Sequence, residues 1–100
     1  MLEFLRLPRV VAAIGKSRSQ LYLDISNGIF PSAVSLGGGR PVGWPAHEVA
    51  AINAAHLSGA SRDDMKRLVS AIVSTRSDPD PEQSVRKLIE DLTAVRRSAA

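Results

Sequence analysis

Four polar residues in a row, Ser17-Arg18-Ser19-Gln20, open a segment with helical spacing, and their types suit contact with nucleic acid. Where the start of a helix enters the major groove, arginine pairs with guanine or holds a phosphate, and glutamine pairs with adenine. The helix N-terminus itself favours phosphate. Lys16, just before them, suits a phosphate contact and equally an ordinary surface charge. Ser17 stands where an N-cap stands, and Gln20 three residues on gives a capping-box pattern, so Gln20 either reads a base or caps. Tyr22 either offers its hydroxyl to a phosphate or packs at the edge of the core. Arg40, in a glycine-rich stretch, is placed for a backbone or minor-groove contact. The candidate DNA-binding set is therefore Lys16, Ser17, Arg18, Ser19, Gln20, Tyr22 and Arg40.

Other chemistry is poorly served. The chain has no cysteine, which removes disulfides and thiolate metal sites. His47 and His56 are too far apart for a helical metal motif. His47 with Glu48 reads as a helix-start pair facing water, and His56 as a partly packed surface residue. Gly15-Lys16-Ser17 resembles a phosphate loop only superficially, because the upstream glycine and the preceding strand are missing. Gly37-Gly38-Gly39-Arg40 lacks the required ending. The expectation is no enzyme, no metal and no cofactor. No stretch approaches the ~20 apolar residues of a membrane span, so a cytoplasmic protein without a membrane partner is expected.

The charge is unevenly spread. The net charge is +3, and the isoelectric point is near 10.0. Residues 1–46 hold five basic and two acidic residues, whereas residues 47–100 hold eight of each. The excess belongs to the N-terminal half, where phosphate binding needs it.

The elements that must position these side chains can be read in order. Pro8 fits a first helical turn. Val10, Val11, Ala12, Ala13 and Ile14, with Leu5 or Leu7, predict a short, largely buried helix ended by Gly15. The next helix runs from Arg18 to about Asn27, with Leu21, Tyr22 and Ile25 on its buried face and Asn27-Gly28 as its stop. Two short helices across Gly-Lys-Ser make a compact helix-turn-helix. Phe30 plugs the core at the exit. Val34 and Leu36, the glycines at 37–39 and the run to Trp44 predict a β-hairpin, or wing. A third helix starts near Pro45, with Val49, Ile52, Asn53 and His56 close to one stripe. Ser61 and Asp64 cap a fourth that carries Met65, Leu68, Val69, Ile72 and Val73. A final helix from about 81 to 97 bears the stripe Val85, Leu88, Leu92 and Val95. The fold class is mainly α with a small β-hairpin wing. Residues 5–57 form the winged helix-turn-helix DNA-binding domain, 61–76 an additional helix packed on it, and 81–97 a helix that either packs on the fourth or serves oligomerisation.

The run Leu5-Arg6, Val10-Val11, Gly15 to Tyr22, Gly28-Ile29-Phe30-Pro31, Leu36-Gly37, Arg40, Gly43-Trp44 and Glu48-Val49 resembles the AlpA family of prophage transcriptional regulators. The resemblance covers residues 5–57 and continues weakly to about 76. It implies a MerR-like, excisionase-like winged helix-turn-helix, with Ser17 to Gln20 at the start of the recognition helix, Tyr22 on the same helix, Arg40 in the wing, and Gly43 and Trp44 structural. The chain departs from the family pattern at Leu23-Asp24, where a basic residue is usual. It departs again in the wing, with an extra glycine and Pro41, and at Ile52, which stands near the place of a tryptophan. Asp24 would repel phosphate, turning the distal part of the helix away from the DNA backbone or towards a cytosine.

Three functions follow as expectations. The first is a sequence-specific double-stranded DNA-binding transcriptional regulator of a prophage or integrative element. The second is an excisionase, a recombination directionality factor that bends DNA and directs an integrase. The third is a protein-interaction module acting through the C-terminal helices. The expected partners are double-stranded DNA, further copies of the chain on DNA, and an integrase or RNA polymerase.

Overall fold

Pro8 has no N–H to lose in a first helical turn, and the helix it enters, α1, spans Leu7–Ile14. The computed structural model describes residues 2–99, with side chains for residues 2–95. After α1 come α2 (Arg18–Ser26), β2 (Val34–Ser35), β3 (Val42–Pro45), α3 (Ala46–Leu57) and α4 (Arg62–Ser74). A 3-10 turn (Thr75–Ser77) and α5 (Pro81–Ala99) complete the chain, while β1 (Phe4–Leu5) precedes α1.

β1 settles the choice of Leu5 or Leu7 for the first helix: Leu7 opens α1, whereas Leu5 lies in the strand. The wing is not a lone hairpin but a three-stranded antiparallel sheet of order β1-β3-β2. Phe4 stands opposite Pro45, Leu5 opposite Trp44, Val34 opposite Gly43 and Ser35 opposite Val42. Alternation along the strands sends Leu5 and Trp44 into the core and leaves Phe4, Val34 and Gly43 on the outer face. The three-glycine loop between β2 and β3 takes positive φ at Gly37, Gly38 and Gly39, a conformation L side chains resist. The Leu36 N–H donates to the Pro41 carbonyl at 2.9 Å and closes the hairpin. Pro41 thus serves as an acceptor, the one backbone role it retains.

The core gathers Val10, Leu21, Phe30, Trp44, Val49, Ile52, Met65, Leu68, Ile72 and Val85. Each of the larger ones contributes roughly 1.5–3 kcal/mol by leaving water. Only Val10 of α1 is fully buried, and Ala12 and Ala13 are exposed, so that helix is less buried than its composition suggests. α4 opens with the expected capping box. Ser61 Oγ accepts from the Asp64 N–H at 3.1 Å and Asp64 Oδ2 accepts from the Ser61 N–H at 3.1 Å. α5 lays Val85, Leu88, Ile89 and Leu92 mainly on α3, with α4 beside it, rather than mainly on α4. Val95 remains exposed.

Candidate nucleic-acid interface

α1 stops at Gly15, which adopts φ 66° and donates its N–H to the Val11 carbonyl. Lys16 and Ser17 complete the turn. Ser17 caps α2 by accepting the Gln20 N–H on its Oγ at 3.1 Å. The Gln20 side chain does not return to Ser17, so only half of the expected capping box forms. Instead, Gln20 Nε2 donates to Asp24 Oδ1 at 2.7 Å, and Lys16 Nζ donates to Asp24 Oδ2 at 2.6 Å.

Asp24 is the centre of this arrangement. It is 3% exposed and shares the inner face of α2 with Leu21. The sequence reading gave that face to Leu21, Tyr22 and Ile25. Tyr22 lies outside, 46% exposed. Asp24 therefore points inward, and its charge is answered within the chain before any phosphate arrives. Burial alone would raise the Asp24 carboxyl. Hydrogen bonds from Lys16 and Gln20, with the charges of Lys16 and His56, outweigh it and hold the group below the ordinary aspartate range.

The outer face of α2 presents Arg18, Ser19, Tyr22 and Leu23 to solvent. Arg18 has no hydrogen bond or ion pair among the described residues, and neither has Arg40 at the far end of the glycine loop. Of the seven sequence-selected residues, α2 and its cap bring Ser17, Arg18, Ser19 and Tyr22 to one exposed end. Lys16 and Gln20 adjoin that end but are held by Asp24. Arg40 stands apart, on the wing.

Three contacts fix these elements to one another. Asn53 Nδ2 donates to the Ala13 carbonyl at 3.0 Å, tying α1 to α3. Trp44 Nε1 donates to the Pro31 carbonyl at 3.0 Å, tying β3 to the chain leaving α2. Arg76 holds Glu48 with two bonds of 2.9 and 2.6 Å and reaches the Ser32 carbonyl at 2.8 Å, at the entrance to β2. Glu48 is 1% exposed, so it does not face water as expected at a helix start. His47 also turns from water: both ring nitrogens are shielded and have no hydrogen-bond partner among the described residues. Sequence reasoning missed the parts of Asp24, Glu48 and Arg76. The only available signal was Asp24 lying one helical turn beyond Gln20.

Among the described residues no three His, Asp or Glu side chains gather as a metal site would require. No described helix is long and apolar enough to cross a membrane.

The model of one family, Prophage CP4-57 regulatory protein (AlpA), matches residues 3–51. That stretch holds the sheet, α1, α2 and the first half of α3. An uncharacterized protein, ORF88 of Enterobacteria phage P4, is 46% identical over 60 residues, which is 60% of this chain and 67% of that protein. No solved structure matches the chain.

Proposed function

Because the chain belongs to the AlpA family of prophage regulatory proteins, we propose that it is a sequence-specific binder of double-stranded DNA that regulates transcription of a prophage or integrative element. It is a regulatory chain and not an enzyme. The observation that carries the DNA reading is the outer face of α2. There Arg18, without a hydrogen bond or ion pair among the described residues, and the polar Ser17 and Ser19 surround the helix N-terminus, while the one acidic residue of the helix is turned inward and neutralised.

In this reading α2 enters the major groove with its first turn. Arg18 contacts a guanine edge or a phosphate, and Ser17 and Ser19 contact phosphates. Tyr22 lies along the same face, and Arg40 extends the grip from the wing to the adjacent backbone. Lys16 and Gln20 act from behind, keeping Asp24 satisfied while their outer edges border the groove. RNA polymerase or an integrase would then meet the protein on DNA.

Footprinting on the upstream and attachment-site DNA of the host element tests this, at stated salt. A protected upstream operator that Arg18→Ala abolishes without changing the melting temperature supports it. Equal affinity of the wild type and Arg18→Ala overturns the assignment of α2. Protection confined to the attachment site favours excision over transcription.

A further inference from the structure

α3 carries two stripes. Glu48, Val49, Ala51, Ile52 and Ala55 are buried in the core. His47, Ala50, Ala54 and Leu57 recur at steps of three, four and three, the spacing of a helix–helix seam. Among the described residues this second stripe is covered only in part, with His47 and Ala54 half-buried. Leu57 is 91% exposed and Ala50 is exposed. Beside it runs a groove of about 300 Å³ between α3 and α5, walled by Ala50, Ala54, Val85, Arg86, Ile89 and Glu90. His47 closes one end, with the ring nitrogens that find no partner.

We propose that this face is where a second copy of the chain docks, with its α3 antiparallel, about a two-fold axis through the middle of the stripe. The proposal does not depend on the DNA reading. Such an axis sets Ala50 against the partner's Ala54 and Leu57 against the partner's His47. Alanine facing alanine lets the helix axes approach to about 8 Å, and Leu57 leaves water.

The charges choose a second copy over another occupant. α4 returns the chain between α3 and α5, so those two helices run the same way. The starts of both, at His47 and Pro81, line one further cleft. Glu82 is then level with His47, Arg86 with Ala50, and Glu90 with Ala54. The two-fold axis brings α5 beside the partner's α5 and puts Arg86 level with the partner's Glu90, twice over. Among the described residues Arg86 reaches only Gln83 Oε1, at 3.4 Å. The Glu90 carboxylate holds no ion pair among the described residues. The face is complementary to itself when reversed, which is the condition for a closed dimer.

Sedimentation velocity of the full chain, from micromolar to near-millimolar concentration, tests the proposal. The wild type is expected to pass from monomer to dimer. Ala50→Glu and Leu57→Ser alter side chains that a single chain leaves exposed, so circular dichroism should show both folded. Each should raise the dimer dissociation constant about tenfold or more, as buried interface positions do. Arg86→Glu and Glu90→Arg should each weaken the dimer, and the double exchange should restore most of the loss. A wild type that stays monomeric throughout overturns the proposal and leaves the face to a different protein. A dimer indifferent to Ala50→Glu and Leu57→Ser overturns it too, as does a double exchange as weak as its two singles combined.

Discussion

Lys16 Nζ lies 2.6 Å from Asp24 Oδ2, across the turn between α1 and α2. The pair joins the residue that precedes the α2 cap to the inner face of α2 itself, so the turn cannot open without separating a cation from a carboxylate that is 3% exposed. That bond holds the exposed end of α2 together with the Ser17 cap and the buried Leu21.

Acid should loosen the turn. The folded-state pKa of Asp24 is lowered, so its stabilisation is fully present above the unfolded value of about 3.9 and is lost as pH falls through the lower folded-state value. Urea titrations at neutral pH and below about pH 4 should show this loss in the wild type. Asp24→Ala should cost about 1–3 kcal/mol at neutral pH and flatten the acid dependence. An equally steep acid limb in the variant would place the linkage elsewhere.

Lys16→Ala and Arg18→Ala should separate fold from binding, though only Ser17 stands between the two residues. Lys16→Ala lowers the denaturation midpoint because Asp24 loses its cation. Arg18→Ala leaves stability within about 0.5 kcal/mol, as an exposed residue without partners should. If Arg18 holds a phosphate, its removal lowers the slope of log affinity against log salt by about 1. If it reads a guanine, specificity relaxes at one base pair. Fluorescence anisotropy with operator DNA across a salt series measures both.

Arg76 should be a stability residue despite its polar, partly exposed position. Arg76→Met strands the buried Glu48 carboxylate and should cost about 3–5 kcal/mol. Adding Glu48→Gln should recover much of that loss, because the double variant buries no unpaired charge. Chemical denaturation of the two singles and the double closes the cycle. Strict additivity would show that the pair does not act as a unit.

Gly43→Ala should destabilise the sheet although Gly43 has an ordinary φ. A Cβ there would meet Leu36 Cδ1 at 3.1 Å, Phe4 Cβ at 3.2 Å and the Leu5 carbonyl at 3.3 Å. The backbone of β1 cannot yield as a side-chain tip can, so a cost of about 1–3 kcal/mol is expected. Thermal melts read it directly, and an unchanged midpoint would mean that β1 moves freely.

The sequence made α1, the Gly15 turn, the α2 cap and the hairpin legible, because each has a local cause: a proline at a first turn, an αL glycine, a serine cap, a glycine loop. β1 was hidden, since two residues are too few for alternation to show and their partners lie in β3, forty residues on. Asp24 was misjudged because a charge is ordinarily read as outward-facing. Its inward turn depends on Lys16 and Gln20 meeting it from the preceding turn and the preceding helical turn. Glu48 and Arg76 are 28 residues apart, and no spacing rule joins a helix start to a later 3-10 turn. In α5 the stripe was plain, but the stripe alone could not tell which helix it would cover.

The hydrogen bond from Trp44 to Pro31 has an optical consequence. The chain contains one tryptophan and one tyrosine. The tryptophan is sealed in the core at the root of the wing, whereas the tyrosine stands in solvent on the outer face of α2. Indole emission from the native chain is therefore blue-shifted and reddens only when the wing root comes apart, while the phenol ring senses what touches the helix. One unlabelled sample thus carries two intrinsic reporters, one of the scaffold and one of its exposed helix.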